Sequence, residues 1–298
     1  MIKDKEERTF QAIGNVFMMI FALLAIIPII LIIISSLTDN DTLIKYGYTF
    51  FPQKWSTYAY TYVFQSGNNV LHCYFNSFFV TAVGTVISLT ITTMLAYALS
   101  RKGLPGRNVM TFLVFFTMLF NGGLVPTYIN YTSVFNIKNT YWALLIPRLL
   151  MNAFNVLLMK SYFVTSVPDE ILEAASIDGA SEFKTFYKVA LPLAQPIVAT
   201  IALFNGIAYW NDWMNGYVYL TDATDLYTIQ NLLNRMIQNI QYLSNSASLS
   251  NASVGLASIP SVSVRMALAV LGILPIIVIY PLIQNNFVKG ITLGGVKG

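Results

Sequence analysis

Runs of twenty or more mostly apolar residues, repeated along the whole chain, constrain this sequence more than any other feature. Walking from the amino terminus gives six of them, at about 13–36, 74–99, 109–131, 139–163, 193–219 and 262–288. Each has the length needed to cross a hydrocarbon core of ~30 Å as a helix rising ~1.5 Å per residue. Only 10% of residues are charged while 56% are hydrophobic, against roughly a quarter charged in a soluble domain. A chain of this kind takes lipid as its main solvent, and its expected fold class is all-α integral membrane with six transmembrane helices. The first run, Ile13 to Ser35, exceeds the ~7–15 residues of a signal-peptide core and is expected to remain as a span.

An even number of spans puts both termini on one side, and the cations decide which. With the amino terminus inside, Lys3, Lys5, Arg8, Arg101, Lys102, Arg107, Lys160, Lys184, Lys188, Lys289 and Lys297 are inner, against Lys45, Lys54, Lys138 and Arg235 outside. Lys and Arg concentrate in loops that stay in the cytoplasm, so amino and carboxy termini are expected to be cytoplasmic. The organisation is then a cytoplasmic segment 1–12, a transmembrane domain 13–288 and a Gly-rich tail 289–298. The net charge of +4 comes from cations scattered through short loops, a pattern unlike a nucleic-acid surface, and no nucleic-acid partner is expected. Cys73 and His72 are single residues of their kinds, too few for a disulfide framework or a metal cluster.

The outer segments carry the aromatics, TFFPQKWSTYAYTYVF before the second run and the stretch from Tyr209 to Tyr219. Such residues sit at membrane interfaces, and a sugar-facing role is open beside that reading. The outer stretch Thr221–Ser261, with SNSASLSNASVGLASIPS, reads as a surface loop.

The loop at 166–192, SVPDEILEAASIDGASEFKTFYKVALP, has more local order than a passive connection needs. Ser166 and Asp169 suggest a capping box, Pro168 suits a first turn, and Asp169, Glu170 and Glu173 oppose the positive end of the helix dipole. Gly179 is a natural terminator, and Ser181–Ala190 reads as a second helical stretch with Phe183, Phe186 and Tyr187. A short helix with alanines at its centre admits another protein's backbone at close range, and flanking aromatics can anchor it in a groove.

Here the sequence resembles a known family. Glu173-Ala174-Ala175, three residues, Gly179, nine residues, then Val189-x-Leu191-Pro192 is similar to the EAA signature of bacterial ABC-importer permeases, with Val189 where that pattern prefers Ile. Asp178-Gly179-Ala180 and the tails Gln284–Gly290 and Gly294–Gly298 look like the carbohydrate-uptake branch, to which maltose permeases belong. The resemblance implies a type I importer transmembrane domain in a bacterial cytoplasmic membrane. Its partners would be a second homologous permease, two cytoplasmic ATPase subunits and an extracytoplasmic solute-binding protein, with an oligosaccharide as cargo. Glu173, Ala174, Ala175, Asp178, Gly179, Leu191 and Pro192 would couple to the ATPase. The chain has no G-x-x-x-x-G-K-[ST] phosphate loop, so it is expected to be a transport subunit that is not itself an enzyme, with ATP and Mg held by its partners and no cofactor of its own.

Counting ~1.5 Å per residue from each span's start puts Asn121 and Asn205 near mid-membrane, with Arg148 and Asn152 bracketing that level. Polar groups at such depth face protein or water. Asn205, Tyr209 and Asp212, at helical spacing and flanked by Trp210 and Trp213, form a candidate sugar-facing stripe; interhelical hydrogen bonding would use Asn in the same way. The candidate pathway is Asn121, Asn152, Asn205, Tyr209 and Asp212. Gly122-Gly123 and Pro126 mark an irregularity in the third run. A non-sugar solute, or an ion-coupled secondary transporter, are the competing readings; the second would leave the EAA loop unexplained.

Overall fold

The computed structural model describes the backbone of residues 5–65, 70–249 and 261–295, and the side chains of 10–65, 70–242 and 262–279. The Gly-rich tail beyond 295, the end of the Ser- and Asn-rich run at 250–260 and the segment 1–4 lie outside the described residues; so do the side chains of the tail motif from Gln284. Among the described residues the chain is helical, with no strand and one isolated bridge, Thr38 to Trp55.

Fifteen α-helices follow in order. They are α1 (Lys5–Ser36), α2 (Asn40–Tyr46), α3 (Tyr58–Gln65), α4 (Val70–Ser100), α5 (Arg107–Leu119), α6 (Leu124–Ile129), α7 (Tyr141–Leu145), α8 (Ala153–Ser166), α9 (Asp169–Ile177), α10 (Glu182–Thr185), α11 (Leu191–Leu193), α12 (Gln195–Trp210), α13 (Met214–Tyr219), α14 (Ile229–Leu249) and α15 (Ser261–Gly295). Single π-helical turns extend α6 over Asn130–Val134 and α10 over Phe186–Ala190.

Three described stretches are individually long and apolar enough to cross a membrane: Phe10–Ser36, Val70–Ser100 and Val262–Ile279. Two more candidates are bent pairs, α5 with α6 and its π turn at 117°, and α10–α11 with α12 at 84°, giving up to five. The expected continuous helices at 109–131 and 139–163 are therefore corrected. In the first, α5 ends at Leu119, and Gly123 turns the chain with a φ of 85°, a conformation that glycine adopts without a Cβ penalty. In the second, residues 146–152 unwind between α7 and α8 around Pro147 and Arg148, because proline supplies no N–H to continue the ladder.

One compact unit comprises residues 1–70 and 235–275. From Phe10 to Ile30 every residue of α1 is exposed, and the unit's order comes from the segment that follows. Asp39 accepts an ion pair from Lys54 at 3.2 Å, Ser36 and Tyr60 share a hydroxyl contact at 2.8 Å, and Ser56 donates its N–H to Leu37 O at 2.7 Å. Asn40 Oδ1 accepts the N–H groups of Val262 and Ser263 at 3.1 and 3.4 Å, satisfying first-turn donors of α15 that have no partner in their own helix.

The other unit comprises residues 71–234 and 276–298. Its core joins α4, α8 and α12 through Ala96, Leu99, Val156, Met159, Ile197 and Ile201, and takes in Leu172, Phe186 and Ala190 from the segment between α8 and α12. The stretch Thr221–Ser261, expected as a loop, instead contains the 21-residue helix α14. Ile229, Leu232, Leu233, Met236 and Ile240 are all buried, the spacing of one apolar helical stripe.

Candidate functional site

The segment 166–192 is built around a closed helix end. Gly179 has a φ of 77°, its N–H bonds Ser176 O at 3.0 Å, and the Ala180 N–H bonds Ala175 O at 3.0 Å. Together these are the paired bonds of a Schellman cap, which need a left-handed residue at this place. At the other end the expected capping box does not form. Pro168 occupies the N-cap without a side-chain bond, and Asp169 is the first helical residue. Its carboxylate is engaged elsewhere: Lys102 Nζ reaches Asp169 Oδ2 at 2.7 Å. That hydrogen bond and its charge hold Asp169 below the usual carboxylate range and raise Lys102 above the usual range of a lysine. Ser181 caps α10 by accepting the Lys184 N–H at 3.4 Å.

Four side chains root this segment: Val167, Leu172, Phe186 and Ala190 are buried in the core. Tyr97, near the end of α4, donates its hydroxyl to Glu182 Oε2 at 3.0 Å, and Arg101 approaches Glu182 Oε1 at 3.8 Å. A cleft of about 480 Å³ opens beside these groups, lined by Tyr97, Arg101, Leu104, Phe183 and Phe186 among others. Much of the rest of the segment is exposed. Ile177 is 86% exposed, Phe183 67% and Tyr187 62%, and Glu173, Ala174, Asp178, Gly179 and Pro192 are exposed while Ala175 and Leu191 are half-buried. Exposed aromatic and aliphatic side chains around a small-residue helix form a surface suited to an apolar groove.

The second set of candidate residues lies where helices are broken. Asn205 is buried; its Oδ1 accepts from Asn155 Nδ2 at 2.8 Å and its Nδ2 donates to Ser88 Oγ at 3.0 Å. One amide thus ties α12 to α8 and α4. Tyr209 is also buried and donates its hydroxyl to Leu145 O at 2.8 Å, a carbonyl at the end of α7 where the helix stops. Asn215 Nδ2 donates to Pro147 O at 2.9 Å in the unwound segment. Carbonyls released by a helix break are satisfied by side chains from α12 and α13, as buried non-helical backbone requires.

Asn152 caps α8 through the Asn155 N–H at 3.2 Å and remains exposed. Asn121 accepts the Gly123 N–H at 2.8 Å, in the bend between α5 and α6, and is likewise exposed. Asp212 is half-buried and accepts the Asn215 N–H at 3.4 Å. Arg148 is exposed in the unwound segment with a φ of 66°, a left-handed conformation that costs a non-glycine residue roughly 1–2 kcal/mol.

Sequence reasoning placed Asn205, Tyr209 and Asp212 on one face but missed their partners. Asn155, three residues after Asn152, and Asn215, three after Asp212, share the spacing of a helix face and were legible in that way. Gly84 was missed too. A Cβ there would lie 2.5 Å from Tyr209 Cε1 and Cζ, so this isolated glycine in a helical run marks the close approach of α4 to the Tyr209 ring.

Comparison with known proteins gives one consistent result. Residues 103–293 match the family described as the binding-protein-dependent transport system inner membrane component. The polygalacturonan/rhamnogalacturonan transport system permease protein YtcP of Bacillus subtilis (strain 168) is 35% identical over 98% of this chain and all of its own. The arabinooligosaccharides transport system permease protein AraQ of Halalkalibacterium halodurans is 27% identical over 93% of each chain. Among solved structures, a bacterial ABC transporter involved in the import of the acidic polysaccharide alginate matches with a TM-score of 0.76 at 30% identity, over 96% of this chain and 99% of that one.

Proposed function

The chain belongs to the binding-protein-dependent transport system inner membrane component family, and on that premise we propose how its geometry serves transport. It is the permease subunit of a type I ABC importer for sugars, a multi-pass inner-membrane protein and not an enzyme. In our reading it crosses the membrane six times with both termini in the cytoplasm, the two bent pairs each counting as one crossing and the unwound stretch at 139–163 supplying one more. It pairs with a second homologous permease to enclose the pathway, sits on two cytoplasmic ATPase subunits that bind ATP and Mg, and receives its oligosaccharide from an extracytoplasmic binding protein.

The observation that carries the mechanism is the segment 166–192, rooted by Val167, Leu172, Phe186 and Ala190 and exposed at Glu173, Ala174, Ile177, Asp178, Gly179 and Tyr187. Closure of the ATPase dimer moves α9 as it sits in the partner's groove, with Ala174 and Ala175 admitting close backbone approach. Glu173, Asp178 and Gly179 set its charge and its end; Leu191 and Pro192 join it to the next helix. Because Glu182 and Asp169 are tied to Tyr97, Arg101 and Lys102, a displacement of the loop is passed to the end of α4 and not dissipated in the chain.

The cargo path is proposed along the broken helices. Asn121, Asn152 and Asp212 retain capacity to meet sugar hydroxyls, while Asn205 and Tyr209 hold the path's walls in this conformation and exchange partners when the subunit changes state. An acidic oligosaccharide is the favoured cargo within the sugar class. The relatives named for polygalacturonan and alginate support it, and the exposed guanidinium of Arg148 could pair with a uronate carboxylate.

Glu173→Lys in the assembled importer tests the coupling role. Uptake into proteoliposomes is expected to fall at least tenfold while ATP hydrolysis continues; undiminished uptake per ATP sinks the assignment.

A further inference from the structure

Asn231, in the first turns of α14, is fully buried, and its Nδ2 donates to Trp213 O at 3.3 Å. That carbonyl already accepts the Tyr217 N–H of its own helix at 2.9 Å, so it is no orphan of a helix end in need of a side chain. The contact also takes up space that α13 leaves for it. Gly216 faces the amide, and a Cβ there would lie 2.8 Å from Asn231 Cγ and Nδ2. Glycine weakens a helix interior, and α13 has only six residues. A short helix thus gives up a side chain to admit a buried amide from another helix.

Both sides of this joint are held. On the α14 side, Ser77 Oγ accepts the Ile229 N–H at 2.7 Å and Thr228 Oγ1 accepts the Asn231 N–H at 3.3 Å. Buried Asn76 donates to Asp225 O at 2.7 Å and to Tyr227 O at 3.1 Å, so the root of α14 is pinned to the start of α4. On the other side, Trp213 lies in the break between α12 and α13, next to Asp212. The Asp212 carboxylate accepts the Asn215 N–H at 3.4 Å, and Asn215 Nδ2 holds Pro147 O in the unwound segment. Asn215 Oδ1 is buried with no donor on it, which leaves this amide an acceptor to use when the break moves.

We propose that Asn231 is a positioning residue of the transport cycle: seated over Gly216 with its amide on Trp213 O, it makes the break that carries Asp212 and Asn215 follow the first turns of α14. On the proposed function α14 is extracytoplasmic and Asp212 lies on the cargo path, and this role for Asn231 rests on that reading. Farther along α14, Gln238, Asn239, Gln241 and Tyr242 are exposed, uncharged polar groups that a protein at the outer face can engage. Movement of α14 under the loaded binding protein is thereby delivered to the path through one buried amide. Asn231 itself, fully buried, takes no part in docking.

The test uses the whole importer in proteoliposomes, with ATP hydrolysis and uptake followed against the concentration of sugar-loaded binding protein. Stimulation of the wild type bears on the proposed function alone, and the variants then judge the joint. Asn231→Leu keeps the bulk and loses the donor. It is expected to lower the maximal stimulated rate about tenfold, while the half-maximal concentration of binding protein and the unstimulated hydrolysis change less than about twofold. Gly216→Ala should do the same by displacing the amide, and Gly216→Ala combined with Asn231→Ala, which gives the methyl its space back, should stay impaired. A normal maximal rate in Asn231→Leu, a loss that falls on the half-maximal concentration or equally on unstimulated hydrolysis, or recovery in the combined variant overturns the proposal, the last result marking a packing contact only. If the variants fail to assemble, hydrogen exchange in the wild-type importer decides. Adding the loaded binding protein should change protection at the Asn215 and Tyr217 amides together with that of Asn231, and unchanged protection at Asn215 and Tyr217 overturns the proposal.

Discussion

Replacing Gly179 separates two reasons why a glycine could stand at the end of α9. Its φ of 77° lies in the left-handed region, and a Cβ added to it would meet nothing within 4 Å in this chain. Crowding inside the subunit is therefore excluded as the cost, and backbone conformation remains. For an alanine that cost is about 1–2 kcal/mol, a roughly 5- to 30-fold fall in the population of the capped loop. Asparagine tolerates the left-handed region better, and valine tolerates it least because of its branched Cβ. Losing the cap would free the carbonyls of Ala175 and Ser176 and let the chain leave α9 in another direction, so that an intact docking surface is presented at the wrong angle. The series Asn, Ala, Val should then lose oligosaccharide uptake per ATP hydrolysed in that order, measured in proteoliposomes containing the whole importer and its binding protein. Hydrogen exchange at Gly179 and Ala180 should rise in the same order. An asparagine variant as impaired as valine, with exchange at these amides unchanged, would refute the conformational argument and show that the ATPase needs the empty space instead.

Other consequences can be measured separately. Gly84→Ala puts a methyl against a Tyr209 ring whose hydroxyl is held by Leu145 O; overpacking should cost about 1–3 kcal/mol, read as a lower melting temperature that Tyr209→Val partly restores. A double-mutant cycle of Asn155→Leu and Asn205→Leu should give a coupling of about 0.6–1.7 kcal/mol; a value near zero would mean that the 2.8 Å contact contributes nothing to stability. Asp169, held low by Lys102, contributes stability above its unfolded pKa that is lost only as pH falls through its depressed value, whereas the raised Lys102 keeps its share until pH rises through its own. The pair is thus intact at neutral pH, and Lys102→Met should return the Asp169 carboxyl titration, followed by carbon NMR, toward the ordinary 3.8. Arg148→Gln should lower uptake of an acidic oligosaccharide about tenfold or more with little change for a neutral one, and equal losses would remove it from the proposed pathway.

Much of this protein was legible in its sequence because the physics involved is local. Apolar runs long enough to span a bilayer and a glycine at a helix end each depend on residues close together in the chain. The Ile229–Ile240 stripe of α14 is as local as these, but the Ser- and Asn-rich composition of Thr221–Ser261 led to a loop being expected there. The Ser166–Asp169 capping box was also a local inference, and it failed because Ser166 ends α8 and Pro168 takes the N-cap of α9, leaving the Asp169 carboxylate to Lys102, sixty-seven positions away. What needed the tertiary structure was the choice among partners. Asn205 could have faced a sugar or another helix with equal chemistry, and only packing shows its amide spent on Asn155 and Ser88. The sequence by itself determined that the chain lives in lipid and carries an EAA-like loop, since hydrophobic length and backbone preference are properties of short segments. Which polar groups are satisfied within the chain, and which stay available to a sugar or another subunit, was decided only by the folded arrangement, because a hydrogen bond depends on where two distant residues meet.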